Sequence, residues 1–288
     1  MNNSSPSKHS KKEIFDVLKS ISIDESAIGD LAPYVEQDFE RFLITLNLLP
    51  KEKISKVLEI GSNPYFLTAL IKWYRPDINL ELINFFGLSG GSHIQTVNFD
   101  QRQCNKLQVT SKLTMPYMSV NCEVDILPFK NDSFDCVIFC EVLEHFIVDP
   151  FHALIQITRV LRIGGYILLS TPNVARLENI ARILNGANIY DPYSGHGPHG
   201  RHNREYTRHE VAWLLSSLGY EPVQHFTADV HANKASVDIR ELKLIEGRQH
   251  DLGQYQFHLW RKVSFPQSKL RPSWLYRSMN EPLSLKSL

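Results

Sequence analysis

At 288 residues and 43% hydrophobic content, the chain is long enough for one large α/β domain with additions, or for two small ones. Lys+Arg and Asp+Glu are both 31, a balance that argues against a nucleic-acid or membrane-surface partner. The four cysteines, Cys104, Cys122, Cys136 and Cys140, form no C-x-x-C pair, which argues against a disulfide framework or zinc site and for buried free thiols.

No apolar stretch approaches the roughly 18 residues of a membrane span. The opening MNNSSPSKHSKK lacks a signal-peptide core, so the expectation is a cytoplasmic protein. Residues 1–12 are polar and basic and predict disorder. Two helical patterns fill 13–50. Ile14, Val17, Leu18 and Ile21 mark the first; Pro33 opens the second, where Val35, Phe39, Phe42, Leu43 and Leu46 recur until Leu49-Pro50. They are expected to cover an edge of the main domain, assigned to 51–263, or to join a lid.

Lys56–Tyr74, KVLEIGSNPYFLTALIKWY, organises the rest. The apolar run Val57–Ile60 breaks at Gly61, and Phe66, Leu67, Leu70, Ile71 and Tyr74 then share a helix face. This is the opening of a βαβ unit, whose ligands sit where strand C-termini meet helix N-termini. Gly61 admits a ligand close to the backbone. Glu59, a charge ending an apolar strand, must be paired with a Lys, cap a loop or hold something cationic. Asn79–Phe86 reads as a second strand ending at Asn84; 87–118 reads as short strands or irregular structure, and Val120–Val124 as a third strand.

Phe134–Cys140, FDCVIFC, has the continuous apolarity of a central parallel strand. Asp149-Pro150 caps a helix to Leu161, Gly164-Gly165 turns the chain, and Tyr166–Ser170 is another strand. A long polar insert follows, 173–206, read as a lid. Thr207 with Glu210 forms a capping box for the helix to Leu218. Glu221–Phe226 and Gln254–Arg261 read as strands, and 264–288 as a tail.

VLEIGSNPYFLT (57–68), LPFKNDSFDCVIFCEVLEHF (127–146) and DPFHALIQITRVLRIGGYILLSTPN (149–173) together resemble the class I S-adenosylmethionine-dependent methyltransferases, in the group reading LPF, sFD, EvLEH, dP, RvLrpGG and TPN in that order. The resemblance covers 55–175 and extends more weakly to 263. It implies an α/β fold with a seven-stranded, mostly parallel Rossmann-like sheet, helices on both faces and an antiparallel last strand. S-adenosyl-L-methionine is the implied cofactor. Glu59 matches the acid that faces its amino group, with Gly61 and Ser62 in the loop beside it. Asn63 and Tyr65 replace the second and third glycines of the family loop. Asn84 stands where the family has the ribose-binding acid, and can accept one hydrogen bond and donate another; it can also simply cap a turn. Glu123 falls where an acid accepts the adenine amino proton, with Asp125 as rival; Val124 offers a backbone N–H to the ring. Glu141 faces the same crevice by topology.

His145, in Leu143-Glu144-His145, is a candidate general base or a loop holder. Tyr190–Tyr206, YDPYSGHGPHGRHNREY, carries His196, His199 and His202. Any of these, His202 first, is also a candidate base, while His199, Arg201, Arg204 and Tyr206 are candidate acceptor-binding residues. No carboxylate accompanies the three histidines at helical spacing, so no metal is expected. The string GRHNREYT resembles bacterial methyltransferases encoded beside glycosyltransferases, which implies O-methylation of a sugar or glycan precursor in polysaccharide biosynthesis. The alternatives are a quinone or other small-molecule methyltransferase, and a non-catalytic methyltransferase-like binding protein. A nicotinamide dehydrogenase is a poor fit, because the expected G-x-G-x-x-G is missing. The expected partner is a small-molecule or glycan acceptor, with no nucleic acid and no membrane span; the oligomeric state is not written in the sequence.

Overall fold

The computed structural model describes residues 9–24, 31–232, 247–266 and 271–277. The chain divides into two compact units, Met1–Val120 and Asn121–Leu288.

In the first unit, α1 (Lys11–Lys19) begins inside the stretch read as disordered. Ser10 and Glu13 make a reciprocal capping box that satisfies two donors the helix would otherwise leave open. Residues 1–8 lie outside the described residues. After a two-residue β1 (Ser22–Ile23), α2 (Ala32–Leu48) starts with Pro33 in its first turn and ends before Pro50. Then come β2 (Lys56–Ile60), α3 (Phe66–Tyr74) and β3 (Asn79–Asn84), the predicted βαβ unit, with Val57 opposite Leu80 in parallel register. The ambiguous stretch resolves into β4 (Ser92–Asn98), α4 (Gln101–Leu107) and β5 (Lys112–Ser119). Strand β5 runs parallel to β3, antiparallel β4 follows, and β1 pairs antiparallel with β4. The strand order is β1-β4-β5-β3-β2.

At the start of the second unit, Val120–Val124, read as a third strand, is not one: β5 ends at Ser119, and residues 121–125 form a turn. The Asn121 carbonyl accepts from the N–H groups of Val124 and Asp125, and the Asp125 carboxylate accepts from Asn121 N at 2.8 Å. The alternating Val120, Cys122 and Val124 imitate a strand, but the side-chain bond to the backbone favours the turn.

Strand β6 (Phe134–Cys140) is nearly buried throughout and pairs parallel with β7 (Leu161–Pro172). Between them, α5 (Pro150–Val160) is capped by Asp149, which accepts from His152 N. Strand β7 starts five residues earlier than expected, because Gly164-Gly165 lies within it. A Cβ on Gly165 would meet the Arg162 and Asp135 carbonyl oxygens at 2.9 Å, so only glycine fits. Within the insert lies α6 (Leu177–Leu184). The predicted Thr207–Glu210 capping box starts α7 (Arg208–Ser217), which leads to β8 (Tyr220–Ala228) and β9 (Tyr255–Lys262). Strand β9 is antiparallel to both β7 and β8, and the order is β6-β7-β9-β8.

The class is α/β and Rossmann-like, with nine strands among the described residues where seven were expected. All four cysteines are free; three are buried, and Cys140 is partly exposed. Among the described residues, no helix is long and apolar enough to cross a membrane.

Candidate functional site

Strand β2 delivers Glu59 into the core. Its side chain is shielded from solvent, with the Thr68 hydroxyl donating to Oε2 at 2.7 Å. Burial pushes the carboxyl up to about 8, against smaller opposing effects of Thr68 and the Lys72 charge. Gly61 follows at φ +79°, donating its N–H to the Ile83 carbonyl, and the chain reaches α3 through Tyr65, which also has a positive φ, 70°.

The departures from the family loop turn out to be one network. Asn84, at the end of β3, accepts from the Ser62 hydroxyl at 3.1 Å and from Asn63 N at 3.0 Å, both on Oδ1. Its Nδ2 donates to the Tyr65 hydroxyl at 3.0 Å, and that hydroxyl donates to Gln95. Both lone pairs of the amide oxygen are therefore spent on the loop, leaving Asn84 one N–H. Asn63 Nδ2 is buried without a partner.

In the second unit, Glu123 does two things. Oε1 accepts from the backbone N–H groups of Ile147, Val148 and Asp149 at 2.9, 2.7 and 3.0 Å, fastening the segment before α5. Oε2 is buried and unpartnered. Val124 is half exposed, and its N–H, the predicted ring donor, is already taken by the Asn121 carbonyl at 3.1 Å. Glu141 follows β6 at φ +56° and accepts from the Ser170 hydroxyl at 2.7 Å.

A 3-10 turn, Leu143–His145, follows Glu141. Glu144 is fully buried; Thr171 Oγ1 donates to Oε2 at 2.8 Å, and Oε1 has no partner. Burial, and then the charge of Glu141, raise its carboxyl well above the usual carboxylate range. The Glu144 carbonyl accepts from Asn203 N at 2.7 Å and Arg204 N at 3.2 Å. This docks His202 beside His145, with ring centroids 5.0 Å apart. His202 Nδ1 donates to Glu205 at 2.9 Å, and Glu205 is also paired with Arg176. Burial disfavours the charged His202 ring, but the Glu205 hydrogen bond and the charges of Glu144, Glu205 and Asp191 win, raising it to about 9. His145 Nδ1 faces the Arg201 carbonyl at 3.0 Å, and burial followed by the neighbouring His202 lower its pKa.

A cavity of about 770 Å³ adjoins this cluster. Its wall includes Asp191, His202, Arg204, Glu205 and Tyr206. Leu275 and Tyr276 from the tail line it too, with Tyr276 bonded to Asp149 and to Phe151 N. Of the predicted acceptor-binding residues, Arg204 and Tyr206 line the cavity, while His199 and Arg201 do not. Arg204 pairs with Glu210 at 2.8 Å, Tyr206 is buried, and Arg201 lies over the Tyr193 ring at 4.7 Å. His196 is exposed and outside the cluster. Sequence reasoning named His145 and His202 but gave no role to Glu144 or Glu205. The i,i+3 spacings Glu141/Glu144 and His202/Glu205 were the available signals, and the second corrects the expectation that no carboxylate stands at helical spacing from the insert's histidines.

A family described as a methyltransferase domain matches residues 34–225. No curated protein matches. Among solved structures, the chain is similar to the N-methyltransferase NodS from Bradyrhizobium japonicum in complex with S-adenosyl-L-homocysteine, at 14% identity and TM-score 0.48, covering 91% of this chain and 100% of that one. It is also similar to a methyltransferase from Thermotoga maritima described as a possible histamine N-methyltransferase, at 16% identity and TM-score 0.48, covering 80% and 93%. A third, an S-adenosylmethionine-dependent methyltransferase from Archaeoglobus fulgidus, aligns at 16% identity and TM-score 0.46 over 80% and 94%. At such scores the assignment rests on the family match, which spans two-thirds of the chain.

Proposed function

Because the chain belongs to the methyltransferase domain family, with S-adenosylmethionine as methyl donor, we propose that it methylates a hydroxyl oxygen of a sugar or glycan precursor. Two features of the glycine loop fit the donor's amino-acid end. Glu59 is a buried carboxyl held near neutral for want of a cation, and Asn63 Nδ2 is a buried donor for want of an acceptor. An ammonium and a carboxylate are the complementary groups. Asn84 retains one N–H for a ribose oxygen.

The cofactor supplies a methyl group already activated on a sulfonium. The chain's own task is then to bind, orient and exclude water. The observation that carries the acceptor reading is the cavity wall, where Asp191, His202, Arg204, Glu205 and Glu210 place ionisable groups around a space large enough for a sugar. These groups are paired with one another, and a hydroxyl-rich acceptor can add hydrogen bonds to them where a quinone ring offers few. His145 and His202 are the rings we assign to the acceptor hydroxyl.

The test is transfer of labelled methyl from S-adenosylmethionine to two sets of acceptors, nucleotide sugars with glycan fragments in one and quinols in the other. Label in the sugars supports the reading. Label in the quinols alone overturns it.

A further inference from the structure

We propose that Glu144, His145 and His202 form a binding site for a divalent transition-metal ion. Each offers one ligand atom, and these atoms lie within 4.8 Å of one another. The grouping was not predicted, because the three histidines of the insert were read together. The backbone bonds from Asn203 and Arg204 to the Glu144 carbonyl bring His202 to the Leu143–His145 turn instead.

Two observations point to an ion rather than to a closed hydrogen-bond network. The first is an orphan acceptor. Glu144 Oε1 is fully buried with no hydrogen-bond partner, and the nearest ring nitrogen, His145 Nε2, stands 3.9 Å away. That is too far for a hydrogen bond, but two ligands of one metal at ~2.1 Å each sit about 3–4 Å apart.

The second is the state of the rings. His145 Nδ1 faces a carbonyl and His202 Nδ1 faces a carboxylate. Both partners only accept, so both Nδ1 atoms carry hydrogen, and Nε2 is the nitrogen each ring can turn to a metal; on His202, whose ring stays charged up to about pH 9, the ion takes the place of the Nε2 proton. This is the outer-shell arrangement that orients metal-bound histidines. Thr171 orients the Glu144 carboxylate in the same way, and Arg176 holds Glu205.

Two nitrogens and one carboxylate oxygen suit Zn²⁺, Mn²⁺, Fe²⁺ or Co²⁺, and three protein ligands leave positions open. In methyl transfer, a role that rests on the function proposed above, an open position takes the acceptor hydroxyl and lowers its pKa. Binding of the ion does not depend on that reading.

The test uses the full chain without a histidine tag, stripped with a chelator and titrated with Co²⁺, Zn²⁺ and Mn²⁺. One equivalent of Co²⁺ should produce visible d–d bands with nitrogen ligation. His145→Ala and His202→Ala should each weaken binding about a hundredfold or more, and Thr171→Ala, which keeps all three ligands, about tenfold. His93→Ala, an exposed ring outside the cluster, should bind as the wild type does. Circular dichroism confirms that each variant is folded. No saturable binding up to millimolar metal, or binding indifferent to both histidine substitutions, overturns the site. Titrating the same stripped protein with S-adenosylhomocysteine separates the two readings. Cofactor binding without metal binding sinks the ion alone; metal binding without cofactor binding upholds the ion and counts against the methyltransferase reading.

Discussion

Glu59 ties cofactor affinity to pH. Burial raises its carboxyl to about 8 in the free protein, so at neutral pH the group is mostly protonated. Pairing with the donor's ammonium requires the carboxylate, so binding expels the proton. With a pKa near 8, roughly one molecule in eleven is ionised at pH 7 and one in a hundred at pH 6, so affinity should tighten close to tenfold between them, about 1.4 kcal/mol. The sign follows from a carboxyl whose pKa is high when free and low when paired. The penalty falls on the acid side and disappears above about pH 8. The assay is titration calorimetry with S-adenosylhomocysteine at both pH values, in two buffers of different ionisation heat. Nearly one proton should leave per molecule bound at pH 7. Glu59→Gln, neutral at every pH, should lose the slope and weaken binding by about 1.5–3 kcal/mol. Equal heats in both buffers, together with an affinity change below twofold, would refute the ionisation argument. Unchanged affinity in the Gln variant would refute the assignment of Glu59 to the ammonium.

Asn84→Asp restores the family's acid, yet a carboxylate has no N–H for the Tyr65 hydroxyl, so urea unfolding should show a loss of about 1–2 kcal/mol; equal stability with tighter cofactor binding would sink the network reading. Glu123→Ala strips three backbone N–H groups of their acceptor and should cost about 2–4 kcal/mol, while Glu123→Gln, which keeps an acceptor oxygen, costs less. Asp251 is buried, which opposes its charge, but bonds from His209 and Arg208 hold its pKa down at about 2. Its contribution, about 2 kcal/mol, is complete above the unfolded value near 4 and is lost as pH falls through about 2. Denaturant midpoints of wild type and Asp251→Asn should therefore differ at pH 6 and converge near pH 2.

What the sequence displays depends on which side of an element is buried. FDCVIFC is legible because nearly every residue of β6 is inside, and a run that lacks the alternation of a half-exposed strand fits one covered on both faces. SHIQTVN is not, because β4 buries only Val97 and its partners are backbone atoms. LENIARIL carried helical spacing, but no side chain caps α6 and polar sequence surrounds it, so the insert read as loop. The start of α1 was readable: Ser10 and Glu13 stand at capping-box spacing, outweighed in the reading by the polar composition around them.

The site adds a different lesson, about grouping. Asn63, Tyr65 and Asn84 look in sequence like three separate losses, two missing glycines and one missing acid. In space they are partners. Tyr65 takes the positive φ of a glycine and sends its hydroxyl back to Asn84, and Asn84 exchanges the acid's free oxygens for bonds to Ser62, Asn63 and Tyr65. An aspartate at position 84 would leave that network a donor short, so any one departure is intelligible only with the others. The same holds for His202. Sequence proximity groups it with His196 and His199, whereas the bonds from Asn203 and Arg204 to Glu144 group it with His145. Strand ends tell which residues can reach a ligand. Which of them act together is decided by hydrogen bonds between distant segments, such as the one from Asn203 to His145 across 58 residues, and no local pattern encodes those.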